Sequence, residues 1–162
     1  MNGPGGGVTG GNVRSMGPRS VVDYVLARRA ILTDLGAGRV SRLDVCDANP
    51  YLLRAARHHG EPTGRSCPVC HSAGERPDTR AHAGARPAGL VHVTYGYGDE
   101  LGDTSGRAWA SADLAELADR FSDLRIYVIE VCAACGWNYL VTSYTIGTGG
   151  PPVRRRRAAP EA

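Results

Sequence analysis

Lysine is absent from this chain, and all 19 basic side chains are arginine. Together with the abundance of alanine and glycine, this marks a GC-rich coding sequence rather than selection for guanidinium chemistry. Aromatic residues are also scarce, with one phenylalanine and two tryptophans. A core drawn from so few large side chains is thin, and a metal crosslink would supplement it. No stretch reaches the roughly 18 apolar residues needed to span a bilayer. The opening residues, MNGPGGGVTGGNVRSMGPRS, lack the apolar centre of a secretion signal. A membrane is therefore not an expected partner, and a bacterial cytoplasm is the expected compartment. Also missing are Gly-x-Ser-x-Gly, a phosphate-cradling loop ending in Lys-Ser or Lys-Thr, and His-Glu-x-x-His. The chain is read as a non-enzyme with no evident small-molecule substrate.

Charge of one sign is lacking as well, once it is located. The formal net charge is +3, but removing Arg154, Arg155, Arg156, Arg157 and Glu161 leaves arginines and carboxylates equal in number. The body is neutral, and the excess sits in a C-terminal tail. At 162 residues the chain has room for one ordinary domain with tails and no second large domain.

What is present is sulfur at metal-binding spacing. Cys67-Pro-Val-Cys70 and Cys132-Ala-Ala-Cys135 are two Cys-x-x-Cys pairs, and thiolates two residues apart on a tight turn can both face one ion. These four residues supply a complete tetrahedral set for one structural Zn²⁺. The pairs are separated by residues 71–131, more than the roughly 15–20 residues usual between such pairs. Loop-closure entropy rises only about 0.6 kcal/mol per doubling of length, against roughly 10–16 kcal/mol for structural zinc in small peptides, so the insert does not overturn the assignment. Five cysteines in all, an odd number, suit a reducing compartment better than a disulfide framework.

Around that centre the chain divides into four parts. Residues 1–19, rich in glycine, read as a disordered tail. Residues 20–60 read as helical: Ser20 and Asp23 form a capping-box pattern, Gly36 and Gly38 end the first helix, Ser41 with Asp44 opens a second, and Asn49-Pro50 opens a third through PYLLRAARHH to Gly60. These helices are expected to pack as a small bundle through Val25, Leu32, Val40, Leu43, Leu52, Leu53 and Ala56. Residues 61–147 read as a zinc ribbon with an inserted loop (72–89) and an inserted helix (about 111–121) capped by Ser111. Its strands are 90–95, 124–131 and 139–146, the last two forming a hairpin whose turn is the second cysteine pair. Residues 148–162 read as a disordered, arginine-rich tail. The expected fold class is α+β: an N-terminal helical segment packed on a three-stranded antiparallel ribbon with two Cys-x-x-Cys knuckles.

Other readings of the same residues are weaker. Dithiol redox chemistry needs a cysteine activated at a helix N-terminus, whereas Cys132 follows one strand and Cys135 leads into another. Zinc release on oxidation remains a separate alternative, and iron would use the same four ligands. His71 is expected beside the site rather than in it, Cys46 as a packing residue in a helix, and His58 and His59 at the exposed carbonyls of a helix end. Asp99, Glu100 and Asp103 read as an exposed turn. Trp137 and Tyr139 either cover the ribbon core or stack on a partner.

The stretches VVDYVLARRA (21–30), VCDANPYLLRAARHHGEPT (45–63), CPVC (67–70) and VIEVCAACGWNYLVTSY (128–144) together resemble an uncharacterised actinobacterial family, a domain of unknown function in small proteins expected to bind zinc. The resemblance spans most of residues 20–147. It implies the fold and the metal and adds nothing about a substrate. The expected function is binding, by a zinc-containing module for transcription or translation machinery or nucleic acid, with Arg154–Arg157 contributing affinity for phosphate. The alternatives are a protein–protein adaptor and, third, a thiol/zinc redox switch.

Overall fold

In the computed structural model, residues 16–72 and 88–150 are described, and all statements below concern them. The elements in chain order are β1 (Met16–Asp23), α1 (Val25–Gly36), α2 (Arg42–Val45), α3 (Pro50–His59), β2 (Glu61–Ser66), α4 (Pro68–Ser72), β3 (Gly89–Tyr97), β4 (Arg107–Trp109), α5 (Leu114–Arg120), β5 (Leu124–Val131) and β6 (Asn138–Gly147). They form a mixed helix and antiparallel-sheet protein. The sheet has six strands in the order β1-β6-β5-β3-β2, with β4 added on β3.

β5 is the centre of this sheet because its residues suit no other place. Ile126, Val128, Ile129 and Val131 are β-branched, and burial alternates along much of the strand. It pairs on one side with β3, from Val91 opposite Val131 to Tyr97 opposite Arg125. On the other side it pairs with β6, from Leu124 opposite Ile146 to Val131 opposite Asn138, with a bulge at Val128/Ile129. The period of two then sorts side chains onto two faces. One face carries Val91, Val93, Tyr95 and Tyr97 of β3 with Val131, Ile129 and Tyr127 of β5. The opposite face carries Leu124, Ile126, Val128 and Glu130.

Helices cover both faces. On the first, Leu52 and Ala56 of α3 pack against Val93 and Val131. On the second, Leu117 and Ala118 of α5 pack with Leu124, Ile126 and Ile146, and Ile31, Leu32 and Leu35 of α1 pack at the cysteine end. The expected three-helix bundle does not form, since α1 and α3 lie on opposite faces and each uses the sheet as its core. Val25 and Leu43, expected inside that bundle, are exposed.

Local signals held where they were strongest. Asn49 Oδ1 accepts from Leu52 N–H at 2.9 Å with Pro50 opening α3, and Ser41 and Asp44 form a reciprocal capping box at α2. α3 turns into β2 at Gly60, where a Cβ would overlap the Ala56 carbonyl oxygen and stand 2.6 Å from the Val91 side chain.

Other expectations are corrected. The sheet is six-stranded rather than three-stranded. Residues 16–19, expected in the disordered tail, belong to β1, and Ser20-x-x-Asp23 does not cap a helix. Instead β1 lies along the edge of β6, and Asp23 Oδ1 accepts from Val25 N–H at 2.7 Å, so α1 starts later than expected. Ser111 begins a short 3₁₀ turn ahead of α5, and its N–H donates to Glu61 Oε1 at 2.7 Å. Thr148 and Gly149, expected in the C-terminal tail, donate to the carbonyls of Phe121 and Ser122 at 2.9 Å each. Glu100 is no idle turn acid: it accepts from Ser122 N–H and Oγ–H at 2.7 and 2.5 Å. The remaining parts of the expected tails and inserted loop, residues 1–15, 73–87 and 151–162, lie outside the described residues.

Candidate metal centre

The β5–β6 hairpin delivers half of the site. After Val131 the chain makes a tight knuckle in which Gly136 N–H donates to Cys132 O at 2.9 Å, Cys132 N–H donates to Trp137 O at 2.8 Å, and Trp137 N–H donates to Cys135 Sγ at 3.4 Å. Gly136 is required there, with φ +82 and a would-be Cβ only 3.0 Å from the Cys46 carbonyl oxygen. The other half comes from the junction of β2 with the short α4, anchored by Cys67 N–H donating to Ala88 O at 3.0 Å. Since β2 pairs with β3 and β3 with β5, sheet registry brings the two halves together across the long insert.

The result is a compact sulfur cluster. The Sγ atoms of Cys67, Cys70, Cys132 and Cys135 all lie within 4.8 Å of one another. Two of the spacings are 3.6 Å, for Cys67 to Cys135, and 3.9 Å, for Cys70 to Cys132. A tetrahedron with metal–sulfur bonds of about 2.3 Å has edges of about 3.8 Å, so small adjustments would close these four sulfurs on one ion. Cys67 and Cys132 are fully buried, and Cys70 and Cys135 half-buried.

The two knuckles repeat one device. Backbone N–H groups of Val69 and Cys70 favour the Cys67 thiolate, and those of Ala134 and Cys135 favour the Cys132 thiolate. Four thiols this close cannot all ionise without a cation. The Cys67 thiol hydrogen-bonds Cys132, bringing Cys132 down to about 5 against the cost of burial. That same contact with Cys132, followed by burial, pushes Cys67 up. Burial, then the neighbouring Cys135, pushes Cys70 up to about 12. A divalent cation removes this conflict by replacing protons.

A fifth thiol stands next to the set. Cys46, expected as a packing residue, is half-buried at the end of α2 and is pushed up to about 11 by burial and by Cys135. Of the two aromatic residues considered for partner contact beside Arg154–Arg157, Trp137 is 0% exposed, so its ring is core and does not reach a partner. Tyr139 is half-buried and stacks on it at 5.9 Å between centroids. Arg154–Arg157 lie outside the described residues, as does the side chain of His71.

The residue that sequence reasoning missed is Glu130, also 0% exposed. Its Oε1 accepts from Arg28 Nε at 2.9 Å, from Arg28 Nη2 at 2.7 Å and from Trp137 Nε1 at 2.9 Å. Its Oε2 accepts from Arg65 Nη2 at 2.9 Å. One carboxylate thus ties α1, β2 and the knuckle to β5, and the Arg28 guanidinium lies 5.8 Å from the Trp137 ring centroid. A buried charge is tolerated only with partners of this quality. The available signal was a lone acid inside the apolar strand VIEV, two residues before a ligand.

Fold and site together define an α+β protein with a four-cysteine centre able to hold a metal ion. The chain belongs to the DUF5318 family, a family of unknown function, whose profile matches residues 15–160. It is similar to the uncharacterized protein Rv0049 of Mycobacterium tuberculosis and the uncharacterized protein Mb0050 of Mycobacterium bovis. Each is 42% identical over 130 residues, covering 80% of this chain and 84% of the relative. No solved structure matches the chain. Among the described residues, no helix is long and apolar enough to cross a membrane.

Proposed function

We propose that this protein is a non-catalytic binding module organised by one structural Zn²⁺ on Cys67, Cys70, Cys132 and Cys135, its two knuckles forming a zinc ribbon within the larger sheet. The observation that carries the reading is the cluster of four Sγ atoms within 4.8 Å of one another, each knuckle lending backbone N–H groups to its first sulfur. Four protein ligands leave no coordination position for water or substrate, the arrangement of structural rather than catalytic zinc. An all-thiolate tetrahedron suits Zn²⁺ and, with the same ligands, iron. Thiolate ligands also suit a reducing compartment such as the cytoplasm.

A module of this kind acts through its surface. Zinc ribbons recur on transcription and translation machinery, which supports a nucleic-acid or nucleoprotein partner by analogy of fold. Metal analysis of the purified full chain tests the centre: one zinc per chain is expected, with metal and thermal stability both lost in Cys132→Ala. A stable wild-type protein without metal, or one that carries iron, would overturn the zinc assignment.

A further inference from the structure

The sheet face that carries α3 is only half covered. α3 packs over Val93 and Val131, with Tyr95 and Ile129 half-buried at the edge of that cluster, while the register continues beyond it to Tyr97 opposite Arg125. Above Tyr95, Tyr97, Tyr127, Ile129 and Leu140 lies a shallow open depression of about 490 Å³. Tyr97 is 45% exposed, a large fraction for an aromatic on a sheet face, and it meets Tyr127 edge-on at 5.6 Å between centroids.

Tyr95 also lines a second hollow, of about 410 Å³, between α3 and β4. Its other walls include Tyr51, Arg54, His58, His59 and Arg107, and no carboxylate. Arg19, Arg28, Arg39, Arg65 and Arg120 all have carboxylate partners, whereas among the described residues Arg54 and Arg107, like Arg29, Arg57 and Arg125 elsewhere, have none. Tyr51 is 84% exposed at the first turn of α3. Unpaired Arg54 and Arg107 and the exposed rings of Tyr51 and Tyr97 thus border two hollows that meet at Tyr95.

We infer that this surface binds single-stranded RNA, with bases stacking on Tyr95, Tyr97 and Tyr127 and phosphates held by Arg54 and Arg107. The inference deepens the binding-module reading by naming its partner and its surface. Charge complementarity selects an anion, since Arg54, Arg107, His58 and His59 line the rim of one hollow without an acid. The tyrosines select among anions: unstacked bases offer flat π faces to rings on a sheet, whereas a duplex keeps its bases inside. The hydroxyls of these three tyrosines make no hydrogen bond among the described residues and are free to meet 2′-hydroxyls.

The test is fluorescence anisotropy with the zinc-loaded full chain and a labelled 12-nucleotide RNA, alongside the same sequence as DNA and as duplex RNA, over a salt series. Single-stranded RNA is expected to bind at least as tightly as the DNA and more tightly than the duplex. Tyr97→Ala is expected to weaken binding about 5- to 150-fold, the range of one lost stack, with Tyr97→Phe restoring most of it. Combined Arg54→Ala and Arg107→Ala should flatten the slope of log K against log salt by about 1.4. Tyr51→Ala, at a surface position with little to disturb, should weaken binding without changing thermal stability. Full-length chain carrying Arg154→Ala, Arg155→Ala, Arg156→Ala and Arg157→Ala separates this surface from the arginine tail and should keep the preference for single strands.

Any of three results would overturn the inference: no RNA binding by the full-length variant lacking the four tail arginines, equal binding of duplex, or tighter binding of DNA. Tighter binding of polyglutamate, unaffected by the tyrosine variants, would assign the surface to an acidic protein instead. Zinc content is measured on the same samples. One zinc per chain without RNA binding rejects this surface and leaves the metal reading standing, whereas RNA binding by a metal-free chain rejects the metal reading alone.

Discussion

The two ends of the sheet's second face are held by different physics. At one end, Cys67, Cys132, Trp137 and Glu130 meet through directional contacts, with N–H groups aimed at sulfur and three side chains aimed at one carboxylate. At the other end, Leu101, Leu117, Leu124, Ile126 and Ile146 meet through apolar contact alone. Directional interactions fail abruptly when one partner is removed, because the remainder stays buried and unsatisfied. Apolar packing yields by degrees, because neighbours relax into the space. The cysteine end should therefore be brittle and the apolar end tolerant.

The largest expected effect lies at the brittle end. Cys132→Ala should abolish metal binding and destabilise the protein by more than any apolar truncation at the opposite end, as read by thermal unfolding with and without chelator. If the parent and variant melted at the same temperature, the contrast between the two ends would disappear. Next comes Glu130→Gln, which leaves Arg28 and Arg65 facing an uncharged amide. A loss of about 3–5 kcal/mol is expected in urea unfolding, whereas a loss below about 1 kcal/mol would mean that the ion pairs are replaceable by water.

At the tolerant end, Leu124→Ala should cost about 2–5 kcal/mol, while Leu124→Met should cost less than about 1.5 kcal/mol. Two equal losses would show that this end is as exacting as the other. Asn49→Ala, which removes the cap of α3, should cost about 1 kcal/mol in the same assay. The smallest effect concerns pH. The Ser111 backbone N–H holds the Glu61 carboxyl below its ordinary value. Its stabilising contribution is therefore present above the unfolded value, near 4.5, and fades as the pH falls through the lower folded value. Glu61→Gln should reduce the difference in stability between pH 7 and pH 3 without touching the metal.

What could be read in advance follows from how locally each feature is encoded. Asn49-Pro50, Ser41 with Asp44, and the β-branched run in β5 carry their instructions within a few residues, and each appeared as expected. β1, β2 and β4 were missed because edge strands bury one flank at most. MGPRSVVD and EPTGRS are polar, proline-containing segments that keep to the sheet edge by nature. Their pairing is decided by the strand already present beside them. The same cause undid the helical bundle: helical periodicity identifies an apolar stripe and says nothing about which surface will cover it.

Trp137 and Glu130 illustrate the limit most closely. Adjacent to a legible Cys-x-x-Cys, the tryptophan could equally have faced a partner or the core, and only the buried carboxylate seven residues earlier drew it inward. That carboxylate in turn is tolerable only because arginines from α1 and β2 reach it from residues distant in the chain.

By itself, the sequence determined the four thiols, their pairing into two turns and the hairpin that carries the second turn, because spacing and β-propensity act over short distances. Tertiary structure alone decided how the two pairs are brought together, that Trp137 is core, and that the tyrosines border a hollow lined by Arg54 and Arg107. Each of these depends on strand registry, which brings residues far apart in the chain within a few ångströms and is set by the whole sheet rather than by any segment of it.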